Sequence, residues 1–432
     1  MRRHAAEKSG AADRPEVIAR LILPAGVGRA ALPLLAARAL RAFTDGYVAV
    51  LLPAYLLALG LSVWTVGLLS TATLLGSALA TLALGAWGHR FHSRRLLLAA
   101  ALLMAATGAG FACLSTFWPL LLIAFVGTLN PSSGDVSVFL PLEHARLADA
   151  AQGDARTALF ARYSLTGALC AALGALAAAV PDGLAAYGIE RLPALRAMFV
   201  LYAVVGVSVW LLYRRLPEPP PHELPAPPAP LGASRGIVMR LAALFSVDAF
   251  AGGLVVNSLL ALWLFQRFGL SLSAAGAFFF WAGLLTAASQ LAAPLLARRI
   301  GLLNTMVFTN IPASICLILA ALAPSLPLVL GLLLLRAALS QMDVPIRSAY
   351  VMAVVTPPER AAAASFTVVP RSLAAALSPT LGGALFATGW LAAPLVACGV
   401  LKIAYDVALW RSFRELGEVD KRGRQPDNPA YF

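Results

Sequence analysis

Residues 214–235 read RRLPEPPPHELPAPPAPLGASR, and this stretch decides how the chain is organised. Proline removes a backbone N–H and fixes φ, so proline this dense excludes helix interiors and central strands. The segment is predicted to run as extended, solvated chain. Long apolar sequence flanks it on both sides. We therefore interpret residues 216–237 as a linker between two similar units.

The composition predicts a membrane protein. The 432 residues are 60% hydrophobic and 12% charged, and the mean hydropathy is +0.81. A soluble domain cannot bury that much apolar sequence, whereas a lipid bilayer can act as its solvent. The net charge of +13 comes from short arginine clusters between apolar runs. This pattern is typical of orientation charge in membrane proteins, so no nucleic-acid partner is predicted.

The sequence lacks the motifs of metal sites and of common enzymes. Its four cysteines occur singly, and the pair His89 and His92 stands beside arginines that oppose a bound cation. No HExxH, GxSxG or P-loop motif is present. We predict no metal, no cofactor and no enzymatic activity, with a membrane-embedded enzyme or receptor as the remote alternative.

Twelve apolar runs are long enough to span a bilayer as helices, because backbone polar groups in hydrocarbon must be satisfied within the segment. The runs lie at 37–60, 64–88, 95–114, 117–142, 156–180, 196–215, 238–265, 271–297, 302–323, 327–352, 361–386 and 389–411. The predicted fold is an all-α integral membrane protein with six helices on each side of the linker. The predicted segments are an N-terminal segment 1–36, a first half 37–215, the linker 216–237, a second half 238–411 and a tail 412–432.

Loop charge predicts the orientation in the membrane. Arginine clusters follow predicted helices 2, 6, 8 and 12, whereas the loops at 60–64, 115–117, 324–326 and 387–390 carry no charge. Residues 181–196 and Arg267 are mild exceptions to this pattern. Basic loops stay on the cytoplasmic side. We expect a multi-pass protein of a bacterial-type inner membrane, with the linker and both termini in the cytoplasm.

The two halves align with each other at rare charged residues. Asp45 in predicted helix 1 matches Asp248 in predicted helix 7, and Arg162 in helix 5 matches Arg371 in helix 11. Asp135 matches Asp343 in the same way. Because charged residues are scarce in apolar runs, repeated matches favour two parallel six-helix pseudo-repeats.

These features resemble the major facilitator superfamily. Its signature after helix 2 has the form G-x-x-x-D-R-x-G-x-R-R, and the sequence GAWGHRFHSRR from Gly85 keeps the first glycine and the arginines. His89 replaces the acid of the signature. The sequence TPPER from Thr356 is similar to the turn that precedes helix 11 in that family.

The resemblance implies a secondary active transporter that moves a small molecule by alternating access. Within the family, the drug and solute efflux branches are the nearest resemblance, which implies proton-coupled efflux. The alternative is an importer or uniporter of a small organic anion or sugar. The expected partners are a small-molecule substrate, protons or another coupling ion, and the bilayer, with the chain acting as a monomer.

Charged residues inside predicted helices are the candidate binding groups, because each costs about 2.5 to 3.5 kcal/mol near the bilayer centre. Asp45 and Asp248 could bind a proton, a cation or a basic group of the substrate. Asn257 follows Asp248 in predicted helix 7, and Arg336 in helix 10 could bind a substrate carboxylate. The spacing places Arg336 on one face of a continuous helix with Asp343 and Arg347, and the last two are expected to pair.

A second group of charged residues lies nearer the predicted cytoplasmic side. In the resembled family such residues form a network that holds the halves together while the outside is open. The candidates for this gate are Arg90, Arg94, Asp135, Arg162, Arg298, Arg299, Asp343, Arg347 and Arg371.

Overall fold

A computed structural model of the chain shows an all-helical protein. It describes residues 23, 27–28, 31–87, 90–132, 137–151, 153–217, 232, 234–356 and 359–421. Most of the predicted linker and the gate candidate Asp135 lie outside these residues. The part described contains no β-strand.

Eight helices form the first half. They are α1 (Ala31–Ala58), α2 (Val63–Trp87), α3 (Ser93–Cys113), α4 (Phe117–Val126), α5 (Phe139–Ala150), α6 (Gly153–Ala177), α7 (Val180–Ala185) and α8 (Arg191–Arg214).

Eight more form the second half. They are α9 (Arg235–Gly253), α10 (Asn257–Phe268), α11 (Leu272–Ile300), α12 (Leu302–Leu322), α13 (Leu326–Leu339), α14 (Asp343–Val354), α15 (Arg360–Ala387) and α16 (Ala393–Lys421).

These helices confirm the predicted fold class. Over the described residues, nine helical segments are long and apolar enough to cross a membrane. Three predicted helices are each divided into two pieces: α4 and α5 make helix 4, α9 and α10 make helix 7, and α13 and α14 make helix 10. Backbone that leaves the helix at membrane depth is tolerated where it is buried in protein or lines a cavity.

The interruption of helix 10 corrects one expectation. Residues 340–342 form a turn between α13 and α14, so Arg336 does not share a continuous helix with Asp343 and Arg347. Pro345 falls in the first turn of α14, where its missing N–H breaks no helical hydrogen bond. Proline at this position suits the start of a new helix better than the interior of a long one.

Helix packing defines two sides of the molecule. We call the side that bears both ends of the linker, at residues 217 and 232, the linker side. The far side bears the turns at 59–62, 269–271 and 323–325. Within the first half α1 packs on α6 and α8, and within the second half α9 packs on α15 and α16. Between the halves α2 packs on α15, α6 on α11 and α1 on α10.

Arg267 departs from the charge rule because it has a structural task on the far side. Its guanidinium donates to the carbonyl oxygens of Ala321 and Ala323, which lie at the end of α12, and the Nη2 to Ala323 O distance is 2.8 Å. Carbonyl groups in the last turn of a helix have no partner within the helix. Arg267 supplies that partner and therefore does not report orientation.

Candidate functional site

A buried ion pair joins α1 to α5 in the first half. Arg41 is 4% exposed and Glu143 is fully buried, and Nη2 of Arg41 bonds Oε2 of Glu143. The same carboxylate accepts hydrogen bonds from the hydroxyls of Tyr163 and Tyr213, the latter at 2.6 Å. Glu143 therefore has a partner on each oxygen, as a buried carboxylate requires.

Asp45 belongs to the same region of the first half. It interacts electrostatically with Arg41, one turn before it on α1, and with Arg38. The Arg41 guanidinium lies 4.1 Å from the ring centroid of Phe139, and that of Arg38 lies 5.2 Å from the ring of Tyr163. Aromatic faces attract cations, so these rings help hold the two arginines away from water.

A second buried cluster surrounds Asp248 in the second half. Its Oδ2 lies 2.9 Å from Nη2 of Arg347, and its Oδ1 lies 2.6 Å from Nζ of Lys402. Arg347 also bonds Asp343, four residues before it on α14, as the spacing predicted. The contacts link α9, α14 and α16. One aspartate thus holds two cations from two other helices.

We name these groups the first-half cluster (Arg38, Arg41, Asp45, Glu143, Tyr163 and Tyr213) and the second-half cluster (Asp248, Asp343, Arg347, Arg371, Lys402 and Tyr405).

Buried ion pairs of this kind are not explained by stability alone. The cost of removing two charges from water offsets most of their attraction. A pair of well-packed apolar residues in the same place often gives the protein the same stability. Breaking such a pair by removing one partner nevertheless costs about 3 to 5 kcal/mol. A ligand or proton that neutralises one member therefore has a large effect on the helices that the pair joins.

The breaks in helices 4 and 7 meet between the two halves. Nδ2 of Asn257 donates to the carbonyl oxygen of Ser132 at 3.0 Å, and the backbone N–H of Ser258 donates to that of Pro131 at 3.1 Å. The Ser258 hydroxyl lies 3.1 Å from that of Ser70 on α2. Carbonyls released by the break in helix 4 thus bind the start of α10.

Further contacts close the far side. Thr71 accepts hydrogen bonds from the N–H and the hydroxyl of Thr380, at 3.0 and 2.8 Å. Gly67 and Gly383 face each other where α2 crosses α15, and a Cβ built on Gly383 would lie 2.8 Å from the Gly67 Cα. Small residues allow backbones to approach this closely. The halves are therefore tightly joined on the far side.

Two substrate candidates have different surroundings from those expected. Arg336, on α13, has no carboxylate at ion-pair distance among the described residues and interacts with the thiols of Cys316 and Cys398. The partners of Asp248 are Arg347 and Lys402, not Arg336.

The gate candidates separate into two groups. Asp343, Arg347 and Arg371 belong to the second-half cluster. The others described lie in α6 or toward the linker-side ends of helices: Arg90, Arg94, Arg162, Arg298 and Arg299. Arg94 donates to the carbonyl oxygen of Arg214 at 2.7 Å, which joins α3 to the end of α8 within the first half.

Three central residues were not among the sequence candidates. Glu143 lies one residue beyond the predicted apolar run that ends at 142, so it was not counted among the charges inside the predicted helices. Arg41 precedes Asp45 by one helical turn, and Lys402 lies in the last apolar run, four residues before Asp406. Both are charged residues inside predicted membrane helices, and this property alone could have identified them as site candidates. Within the described residues no His, Cys, Asp and Glu side chains group to hold a metal ion.

Comparison with known proteins supports the fold. A family profile described as Major Facilitator Superfamily matches residues 34–308 and again 241–430. The uncharacterized membrane protein YJR124C of Saccharomyces cerevisiae is 24% identical over 339 residues, which are 70% of this chain and 76% of that protein.

Two solved structures show the same architecture. The nucleoside transporter NupG gives a TM-score of 0.71 at 16% identity and covers 90% of this chain and 100% of its own. The xylose transporter XylE from E. coli, in an inward open conformation, gives a TM-score of 0.69 at 15% identity over 88% of this chain and 96% of its own.

Proposed function

The chain belongs to the major facilitator superfamily, and on this basis we propose that it is a proton-coupled secondary transporter that moves a small molecule by alternating access. Its family and fold are those of transporters and not of enzymes. The observation that carries the proposal is the pairing of Asp248 with both Arg347 and Lys402 at the centre of the second half.

The arrangement of the halves supports alternating access. Hydrogen bonds and the crossing of Gly67 with Gly383 join them on the far side. In our proposal the linker side is cytoplasmic, because the arginine clusters lie there, and the membrane is the inner membrane. The structure then corresponds to a state closed toward the outside. The linker-side arginines are proposed to latch the halves in the opposite state.

Asp248 is the proposed proton site. A proton on its carboxylate removes the attraction to Arg347 and Lys402 at the same time, and these residues lie on α14 and α16. The protonated acid therefore loosens the contacts of α9 with two neighbouring helices. Asp45, which lies beside two arginines on its own helix, is the second candidate.

The direction of transport has two candidate answers. The overall resemblance to the drug and solute efflux branches, stated from the sequence, favours exchange of an outgoing substrate for an incoming proton. The alternative is import of the substrate together with a proton. The two differ in the direction of proton movement that substrate causes.

The test is proton movement in proteoliposomes. The purified chain is reconstituted with a pH-sensitive dye inside, and a panel of nucleosides, sugars, organic anions and hydrophobic cations is added outside. We expect at least one compound to move protons, and Asp248→Asn to abolish this movement while downhill substrate exchange continues. Glu190→Gln makes the same chemical change at an exposed far-side residue and should have no effect.

Two results would contradict the proposal. Transport that proceeds without proton movement in the wild type would make the protein a uniporter. Concentrative transport that persists in Asp248→Asn would move the proton site to Asp45.

A further inference from the structure

The second-half cluster has more buried donors than its carboxylates use. Arg347 makes both of its ion pairs through Nη2, and its Nε and Nη1 are buried without a hydrogen-bond partner. No other arginine in the described part of the chain has two such nitrogens. Buried donors normally have partners, so these N–H groups indicate a missing acceptor.

Two neighbours add donors to the same place. Nε of Arg371 and the hydroxyl of Tyr405 are also buried without partners. Both residues interact electrostatically with Arg347, Asp248 and Asp343. The ring of Phe245 lies 5.2 Å from the Arg347 guanidinium and 6.5 Å from the ring of Tyr405. The donors therefore come from three helices, α14, α15 and α16.

The charges of the second-half cluster do not balance. Its three cations (Arg347, Arg371 and Lys402) accompany two carboxylates (Asp248 and Asp343). Asp406 accepts its hydrogen bonds from the amide of Asn310, at 3.0 and 3.3 Å. One positive charge therefore remains in the cluster when both of its own carboxylates are ionised. Charges at membrane depth need a counter-charge, and a single anion would supply it.

We propose that the second-half cluster binds the carboxylate of a small organic anion, which Arg371 and the unused N–H groups of Arg347 hold. Guanidinium groups present N–H donors in the geometry that a carboxylate accepts. This inference names the substrate class of the transporter proposed above and therefore rests on that function.

The position of Asp248 gives the site a coupling rule. Ionised Asp248 competes with the substrate for Arg347 and Lys402, because it already bonds both. A proton on Asp248 ends the competition and leaves the two cations to the anion. Proton and anion therefore bind together and cross together, which makes the protein a cotransporter and favours import over exchange.

Binding is tested on the purified full chain in detergent, without transport. Acetate, lactate and benzoate are compared with their neutral amides acetamide, lactamide and benzamide by thermal unfolding. Chloride and inorganic phosphate are measured in parallel. We expect at least one carboxylate to raise the unfolding temperature and its amide to have no effect. If none of the carboxylates stabilises the chain, the inference is wrong. Stabilisation by chloride or phosphate alone would make the cluster an inorganic-ion site and also overturn it.

Variants locate the site. Arg371→Gln should weaken carboxylate binding about tenfold, which is the size of one charged hydrogen bond. Arg191→Gln makes the same charge change at an exposed far-side residue, the first residue of α8, and should bind as the wild type does. Equal losses in both variants would show a general charge effect and contradict the proposed site.

Asp248→Asn separates a binding role from a structural one. Asparagine resembles the protonated acid, so this variant should bind the carboxylate more tightly than the wild type. A variant that folds but does not bind the anion would overturn the coupling rule.

Proton-coupled transport without anion binding would contradict this inference only. Anion binding without any transport would contradict the proposed function only.

Discussion

Glu143 on α5 and Arg347 on α14 carry opposite charges, and each forms an ion pair with the first helix of its own half. Each is the fifth residue of a 12-residue helix that continues predicted helix 4 or helix 10 on the linker side. Glu143 pairs with Arg41 on α1, and Arg347 pairs with Asp248 on α9, the first helix of the second half. Both halves thus have an ion pair between these two elements, with the positive and the negative partner exchanged.

The reversal gives the halves different chemistry. In the first half the carboxylate is fully provided with donors by Arg41, Tyr163 and Tyr213. In the second half the guanidinium retains unused donors. The first-half cluster is therefore suited to hold its helices together. The second-half cluster is suited to exchange one ionic partner for another.

Glu143→Gln should destabilise the protein by about 3 kcal/mol, because it leaves Arg41 buried without its counter-charge. Thermal unfolding in detergent measures the loss. The double variant Arg41→Met with Glu143→Leu should recover most of it, since neither charge of the pair then remains buried. A double variant as unstable as the single one would show that the ion pair is not the source of the effect.

Gly383→Val should open the far side, because a side chain there collides with Gly67 on α2. The expected result, in a Cys113→Ser background, is faster reaction of a cysteine placed at Thr380 with an impermeant thiol reagent applied from the far side. The matched control is Gly331→Val, since a Cβ at Gly331 meets nothing within 4 Å. Unchanged labelling in Gly383→Val would contradict the tight crossing of α2 and α15.

The sequence predicted the helices well, because an apolar run about 20 residues long is a strong signal. It placed Asp45 and Asp248 inside the membrane and foresaw the pair of Asp343 with Arg347. The partners of Asp248 could not be predicted, because Lys402 lies on a helix remote in sequence and spacing reports only neighbours on one helix.

Arg336 is a second residue whose neighbours could not be predicted from spacing along the sequence. Helical spacing placed it with Arg347, but the turn at 340–342 separates the two helices. Helix 4 contains Pro131 near its break, which the sequence revealed, whereas the three residues of the break in helix 7, 254–256, include no proline. Breaks that tertiary contacts determine leave little local signal.

Glu359 should release the start of α9 only in acid. Its carboxylate accepts hydrogen bonds from the backbone N–H groups of Gly232 and Ser234, at 2.9 and 3.0 Å. A hydrogen bond from the Ser234 side chain, together with these N–H groups, lowers the pKa of Glu359 below its ordinary value of 4.5. Because the pKa is lowered, the Glu359 carboxylate stabilises the start of α9 at pH values above the ordinary glutamate pKa. This stabilisation is lost as the pH falls through the lowered pKa.

Hydrogen exchange at the first turn of α9 measures this effect. Protection should stay constant from neutral pH down to about the ordinary glutamate pKa and then fall. Glu359→Gln should show weak protection at every pH. Wild-type protection in that variant would show that the carboxylate does not hold the linker end.

Cys113 tests the orientation, because it is exposed at the far-side end of α3. An impermeant thiol reagent should label it only from outside the cell if the linker side is cytoplasmic. In a Cys113→Ser background, Arg299→Cys at the linker-side end of α11 should be labelled only from the inside. The opposite pattern would reverse the orientation and with it the assignment of the closed side.

Asn257→Ala should shift the balance between the two states of the transporter. The side chain contributes one hydrogen bond between the halves, to the Ser132 carbonyl, and such a bond contributes about 1 kcal/mol. Its loss should change the ratio of the two conformations about fivefold toward the state open on the far side. Labelling of a cysteine at Thr380 from that side reports the ratio. Asn304→Ala removes a bond of the same length within one half, to the Ile300 carbonyl, and should leave the ratio unchanged. If both variants behave alike, Asn257 has no special part in joining the halves, and its place beside the break in helix 4 reflects packing alone.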